Sequence, residues 1–314
     1  TVDRNPASHD TMPRFSEIAS GLQFPEGPVA MPDGSVLLVE IRRGTLTRVL
    51  PGGRVEVVAE LGGGPNGAAI GPDGRCYVCN NGGFEWIEAD GYCYPGHQPA
   101  DYSGGRIEAV DLASGAVEVL YTHCDGEPLK GPNDIVFDRH GGFYFTDLGK
   151  TRRRDLDHGG VYYARPDGSM IRELLFPVAT PNGIGLSPAG DRLYVAQTSS
   201  CRLLGYDIVA PGEIRKVMDG EAMLAGFANF QMFDSLAVDA AGNVCVATLI
   251  NGGITIVPPH GGASRHVATP DPMTTNICFG GKDLRTAYIT CSMTGKLLAC
   301  EWETPGLALH FLDR

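Results

Sequence analysis

Apolar and polar positions alternate along this chain in short runs rather than in helical stripes, which predicts many short strands. One phrase returns six times: PEGPVAMPDGSVLLVE from Pro25, PNGAAIGPDGRCYVCN from Pro65, PNDIVFDRHGGFYFTD from Pro132, PNGIGLSPAGDRLYVA from Pro181, FDSLAVDAAGNVCVAT from Phe233 and TNICFGGKDLRTAYIT from Thr275. Each reads as an apolar strand, a tight turn of the Pro-Asp-Gly kind and a second strand. A more polar hairpin is expected after each phrase, for example GTLTRVLPGGRVEVVAE, RLLGYDIVAPGEIRKVM and KLLACEWETPGLALHFL. Two hairpins make a four-stranded sheet. Six such sheets, with starts 40 to 67 residues apart, predict a six-bladed β-propeller with four-stranded antiparallel blades around a central channel. RFSEIASGL, from Arg14 to Leu22, resembles an outer strand without a blade of its own and is expected to pair with the last blade. The expected organisation is an N-terminal extension over 1–13 and a single propeller domain over 14–314, with an insertion over 84–104.

Superposing the six phrases exposes a chemical pattern. The residue that opens each first strand is polar every time: Glu26, Asn66, Asn133, Asn182, Asp234 and Asn276. A glycine follows eight places later in five copies, at Gly34, Gly74, Gly141, Gly190 and Gly242, which secures the register. First strands line the channel of a propeller, so these side chains should form one ring at one mouth. An isolated Asn at a strand start is ordinarily a turn residue. Six equivalent positions with two carboxylates and no Lys or Arg among them instead call for a cation. Oxygen donors without His or Cys favour Ca²⁺, with Mg²⁺, Mn²⁺ or Zn²⁺ as alternatives.

Composition narrows the partners. The chain has 314 residues, 43% hydrophobic and 20% charged, with 25 Lys+Arg against 37 Asp+Glu and a net charge of −12. That field disfavours nucleic acid and anionic lipid. No apolar run is long enough for a membrane span, TVDRNPASHD has no apolar signal core, and a cytoplasmic protein is expected. The nine cysteines are odd in number and lie mostly in apolar runs, which suits buried thiols. Cys76 and Cys79 would face opposite sides of one strand, against a metal or redox pair. The eight histidines show no ligand spacing, no G-x-S-x-G elbow is present, and the dipeptides of WD40 repeats are absent.

The PEGP at Pro25, PND at Pro132, PNG at Pro181, FDSLAVDAAGN at Phe233 and TTNICFGGKDLRTAYITCS at Thr274 resemble the gluconolactonase, regucalcin (senescence marker protein) and diisopropyl-fluorophosphatase superfamily, from about Phe15 to Phe311. The resemblance implies a divalent metal held by Glu26, Asn133, Asn182 and Asp234, four of the six ring positions, with Asp134 behind them. It implies a metal-dependent lactonase or related ester hydrolase acting on a small-molecule lactone, the metal polarising the carbonyl and a carboxylate activating water. Asp234 as general base, Asp234 as nucleophile and water activated by Glu26 are all compatible with the pattern. Animal members carry an Arg two residues before Asn133, where this chain has Gly131, so a less polar lactone than a sugar lactone is expected. A phosphotriesterase or fluorophosphatase-type hydrolase and a non-catalytic calcium- or ligand-binding propeller are the alternatives. A monomer or small homo-oligomer is expected.

Substrate contacts are expected from Asn66 and Asn276 and from two segments on the ring's face. The insertion over 84–104 supplies Trp86, Tyr94, His97 and Tyr102 as an aromatic lid. MLAGFANFQMF, from Met223 to Phe233, is expected to be an apolar loop that supplies Phe227 as pocket wall. Arg152, Arg153 and Arg154 read as a solvated run able to pair with Asp155 and Asp157.

Overall fold

A computed structural model of the chain describes residues 13–312, so most of the expected 1–13 extension lies outside the described residues. Six antiparallel sheets form a ring, a six-bladed β-propeller. The inner strands of blades 1 to 6 are Pro25–Ala30, Pro65–Ile70, Pro132–Phe137, Pro181–Leu186, Met232–Val238 and Thr274–Gly280. In each blade the phrase found in the sequence supplies this strand and the next one outward.

The turn after each inner strand has one conformational demand. Gly34, Gly74, Gly141, Gly190 and Gly242 all adopt positive φ, between 70° and 86°. In blade 6 the equivalent position is Leu284, which takes φ 57° without the freedom of glycine. The left-handed conformation costs a side-chain-bearing residue about 1 kcal/mol, and the backbone here is held by Gly306, whose N–H donates to the Leu284 carbonyl at 2.8 Å.

Blade 6 closes the circle as expected, with Ser16–Ala19 pairing with Lys296–Glu301 as its outermost strand. This corrects the hairpin expected in KLLACEWETPGLALHFL. Only Lys296–Glu301 is a strand, because the outer edge is already taken by Ser16–Ala19. The remainder turns beneath the propeller: the Leu307 N–H donates to the Val238 carbonyl at 3.0 Å, and Phe311 packs edge-on against Phe137. Blade 4 departs too. Its third strand, Arg202–Ala210, outruns the two-residue partner Glu213–Ile214, and Met223–Gly226 pairs with its first half. The first four residues of the expected loop 223–233 are therefore strand.

Hydrophobic clusters lie between neighbouring blades rather than at the axis. The cluster beside the closing blade joins Leu297 and Ala19 to Val36, Leu38 and Val49 of blade 1. All nine cysteines are free, and eight are buried. Among the described residues, no helix is long and apolar enough to cross a membrane.

Closure through this seam predicts that Leu297→Ala lowers the unfolding free energy in urea by about 2–5 kcal/mol. The exposed Val119→Ala on an outer strand should change it by less than about 0.5 kcal/mol.

Candidate active site

Each ring residue sits beside a β-bulge. The register of every inner strand with its neighbour slips close to it, between Glu26 and Val29, Pro65 and Gly67, Pro132 and Ile135, Pro181 and Ile184, Phe233 and Leu236, and Thr274 and Asn276. A bulge kinks the strand and re-aims the side chains beside it. The backbones also approach closely here. A methyl group on Gly183 would come within 2.7 Å of the Asp234 carbonyl oxygen. Only glycine lets blade 4 come so near to blade 5 at this level.

Blade 3 carries Asp134 instead of glycine at the equivalent position. Its carboxylate accepts from the Ile135 N–H at 2.9 Å and from the Ile184 N–H of blade 4 at 3.1 Å, so it fastens two inner strands together. Burial pushes its pKa up to about 7. Thr146 reinforces the junction, accepting from the Asp134 N–H and donating to the Asn182 carbonyl.

Glu26 is buried. Its Oε2 accepts from the Gly27 N–H and from Asn276 Nδ2, the latter at 2.7 Å, while Oε1 has no hydrogen-bond partner. Asn133 Oδ1 is likewise buried without one. Asn182 Nδ2 donates to Thr198 Oγ1 at 3.0 Å, which turns its amide oxygen away from Thr198. Asp234 is partly exposed. Burial raises the Glu26 pKa well above the usual carboxylate range, and the charges of Asp234 and Asp134 raise it further. The Asp234 carboxyl is raised by burial and by Asp134, against a lowering contact from Asn182.

Orphaned acceptors beside mutually repelling carboxylates are the environment a hard cation relieves. Among the described residues no cluster of three or more His, Cys, Asp or Glu could hold a metal. A cation at the ring would therefore draw on amide oxygens as well as on carboxylates. The donor set fits such an ion.

The insertion extends from blade 2 across the same face. Its hairpin, Trp86–Ala89 with Tyr92–Pro95, is closed at the base by the Glu85 N–H, which donates to the His97 carbonyl at 2.9 Å. Arg42 of blade 1 pairs with Glu88, the Cys93 N–H reaches the Met293 carbonyl of blade 6, and the Gln98 N–H donates to Thr151 beyond blade 3. Trp86 packs against Phe24 at 5.3 Å, and Tyr94 joins the same blade 1–2 cluster. The Tyr102 hydroxyl donates to the Lys130 carbonyl at 2.5 Å. Phe227 packs edge-on against Phe233, next to Asp234. Asn66 is buried at its ring position. Arg152 pairs with Asp155 and Asp157, as its spacing suggested.

Lys150 carries no sequence signal of its own, standing two residues before the run Arg152, Arg153 and Arg154. It is fully buried under the insertion, where Nζ donates to the Gly83 carbonyl at 2.5 Å and lies 3.8 Å from the centre of the Phe84 ring. Tyr102 faces it from the other end of the insertion. Burial pulls its pKa down to about 7, although Asp147 and Asp157 oppose the shift.

Residues 24–293 match the model of the SMP-30/Gluconolactonase/LRE-like region. The chain belongs to this family. A lactonase drp35 of Staphylococcus saprophyticus is 30% identical over 258 residues, covering 80% of this chain and 71% of the relative. A gluconolactonase of Zymomonas mobilis is 26% identical over 305 residues, covering 88% and 78%. In fold, the chain is similar to a calcium-binding protein, regucalcin, from Agrobacterium tumefaciens, with a TM-score of 0.69, 17% identity and coverage of 94% and 98%.

The buried Lys150 generates a pH prediction. Its folded pKa of about 7 lies below the ordinary 10.5, so the unfolded chain binds more protons between these values and stability rises with pH across that window. Urea unfolding of wild type and Lys150→Met from pH 7 to 10 should show the wild type gaining stability relative to the variant as pH rises. Parallel curves would reject the assignment.

Proposed function

We propose that this protein is a divalent-cation-dependent lactone hydrolase. The observation that carries the proposal is the pair of buried, unpartnered acceptors, Glu26 Oε1 and Asn133 Oδ1, in a ring with Asp234 and Asn182. Family membership and relatives named gluconolactonase and lactonase support the substrate class.

Glu26, Asn133, Asn182 and Asp234 would hold the cation, and their oxygen-only character favours Ca²⁺. When bound, the ion supplies Lewis-acid stabilisation of the negative charge that develops on a carbonyl oxygen during ring opening. The remaining work falls to the chain. Asp234, partly exposed, accepts a proton from the attacking water as the water oxygen bonds to the carbonyl carbon. It returns that proton to the alkoxide released when the ring C–O bond breaks, leaving a hydroxycarboxylate. Asn276 fixes Glu26 through Oε2, so that only Oε1 is left without a partner, and Asp134 keeps blades 3 and 4 in register.

The insertion reaches blades 1, 3 and 6 and limits water at the entrance, with Trp86, Tyr94, His97 and Tyr102 on it and Phe227 on the opposite side. Asn66 and Asn276 complete the rim, and Gly131 leaves it without a guanidinium. A lactone with an apolar substituent suits this wall better than a polyhydroxylated one.

Proton release on a panel of sugar, alkyl and aryl lactones tests the proposal. Chelation should abolish turnover, Ca²⁺ should restore it, and Asp234→Asn should lower kcat by about 100-fold or more. Turnover indifferent to both chelation and Asp234→Asn would overturn it.

A further inference from the structure

The insertion leaves blade 2 through Gly82 and Gly83, whose φ of 82° and 113° are conformations that a side chain would strain. Its two ends lie against each other. A methyl group on Gly82 would run into the Tyr102 ring, and the Ser103 N–H donates to the Gly82 carbonyl at 3.1 Å.

Lys150 enters this junction from blade 3. Its own backbone is fixed: the N–H donates to Asp157 Oδ2 at 3.1 Å, and the carbonyl accepts from the Asp157 N–H at 2.9 Å. The segment before it, Asp147 to Gly149, is bonded to Lys130 and Gly131, the residues that lead into Asn133. From that base Nζ meets both ends of the insertion at once, the Gly83 carbonyl and the Phe84 ring at one end and the Tyr102 ring, 5.6 Å away, at the other. Asn81 Oδ1, which accepts from the Gly83 N–H at 2.9 Å, lies 3.5 Å from Nζ. The carboxylates nearby are already engaged, Asp147 by three backbone N–H groups and Asp157 by Arg152 and the Lys150 N–H, so the bonds of the side chain go to the insertion. An ammonium group between a carbonyl and two ring faces is held by charge, which an apolar side chain does not supply.

We propose that Lys150 is a positioning residue of the lactone hydrolase: it pins both ends of the insertion to blade 3, beside the run into Asn133, and so holds Trp86, Tyr94 and His97 across the entrance. The part in turnover rests on the hydrolase reading, whereas the pinning does not. Removing the ammonium group frees the insertion without unfolding the propeller, since an apolar side chain in place of a buried cation is tolerated by a well-packed site.

Hydrogen–deuterium exchange of the full chain, wild type against Lys150→Met, tests this. Amides of residues 84–104 should exchange about tenfold faster or more in the variant, while the inner-strand amides of blades 4 to 6 and the urea midpoint hold their wild-type values. On lactones that the wild type opens, KM should rise by about tenfold with kcat within about twofold, because the ring and Asp234 are untouched. Lys150→Arg, which keeps the cation, should stay within about threefold of wild type in both measurements. Lys150→Gln, uncharged and shorter, is the second variant should Lys150→Met not fold, and the same changes are expected of it. Insertion exchange unchanged in the uncharged variants, faster exchange spread evenly over all six blades, or a fall in kcat with KM unchanged would overturn the proposal. If the wild type opens no lactone while exchange responds as expected, the hydrolase reading falls and the pinning stands.

Discussion

Everything at the upper mouth depends on how near six inner strands can come to one another. Adjacent blades meet there at backbone contact, with Gly183 against the Asp234 carbonyl, and a bulge beside each ring residue kinks the strand where it arrives. Without the kink, a residue at the head of a pleated strand would share its neighbours' alternation. With it, polar residues at the heads of neighbouring inner strands meet, Asn276 on Glu26 and Asn182 beside Asp234.

Convergence has an electrostatic cost. Glu26, Asp134 and Asp234 raise one another's pKa or are raised by burial, and two oxygen acceptors stay without a donor. The surrounding bonds are directional. Asn276 occupies the Glu26 oxygen that faces blade 6, Thr198 occupies the donor end of Asn182, and Asp134 spends both oxygens on backbone. What remains unspent is Glu26 Oε1 and Asn133 Oδ1. Uncompensated buried carboxylates and acceptors of this kind cost the fold stability.

The propeller was legible because it rests on repetition: the phrase recurs, and Glu26 to Asn276 hold the same place at the head of each inner strand. Features that occur once were not. Lys150 sits beside three arginines in sequence, and only the fold shows the insertion closing over it. The tail after Glu301 is expected to complete the outer hairpin of its blade, yet the strand position it might fill is occupied by residues from the other end of the chain. Blade 4 failed for a related reason, since the split of one outer strand into two short ones leaves no mark in the local pattern. The bulges themselves are hidden too, because a bulge is a relation between two strands.

The pairing of Ser16–Ala19 with Lys296–Glu301 also sets the order of events during synthesis. Some 280 residues separate the two partners. Blades 1 to 5 each complete their sheet from contiguous chain, so they can assemble as the polypeptide emerges. Blade 6 cannot, and the flanks of blades 1 and 5 that it covers stay wet until residue 301 has left the ribosome. The last contact made is thus the one that turns an open arc into a circle, and a nascent arc with uncovered apolar flanks is the species a chaperone would meet.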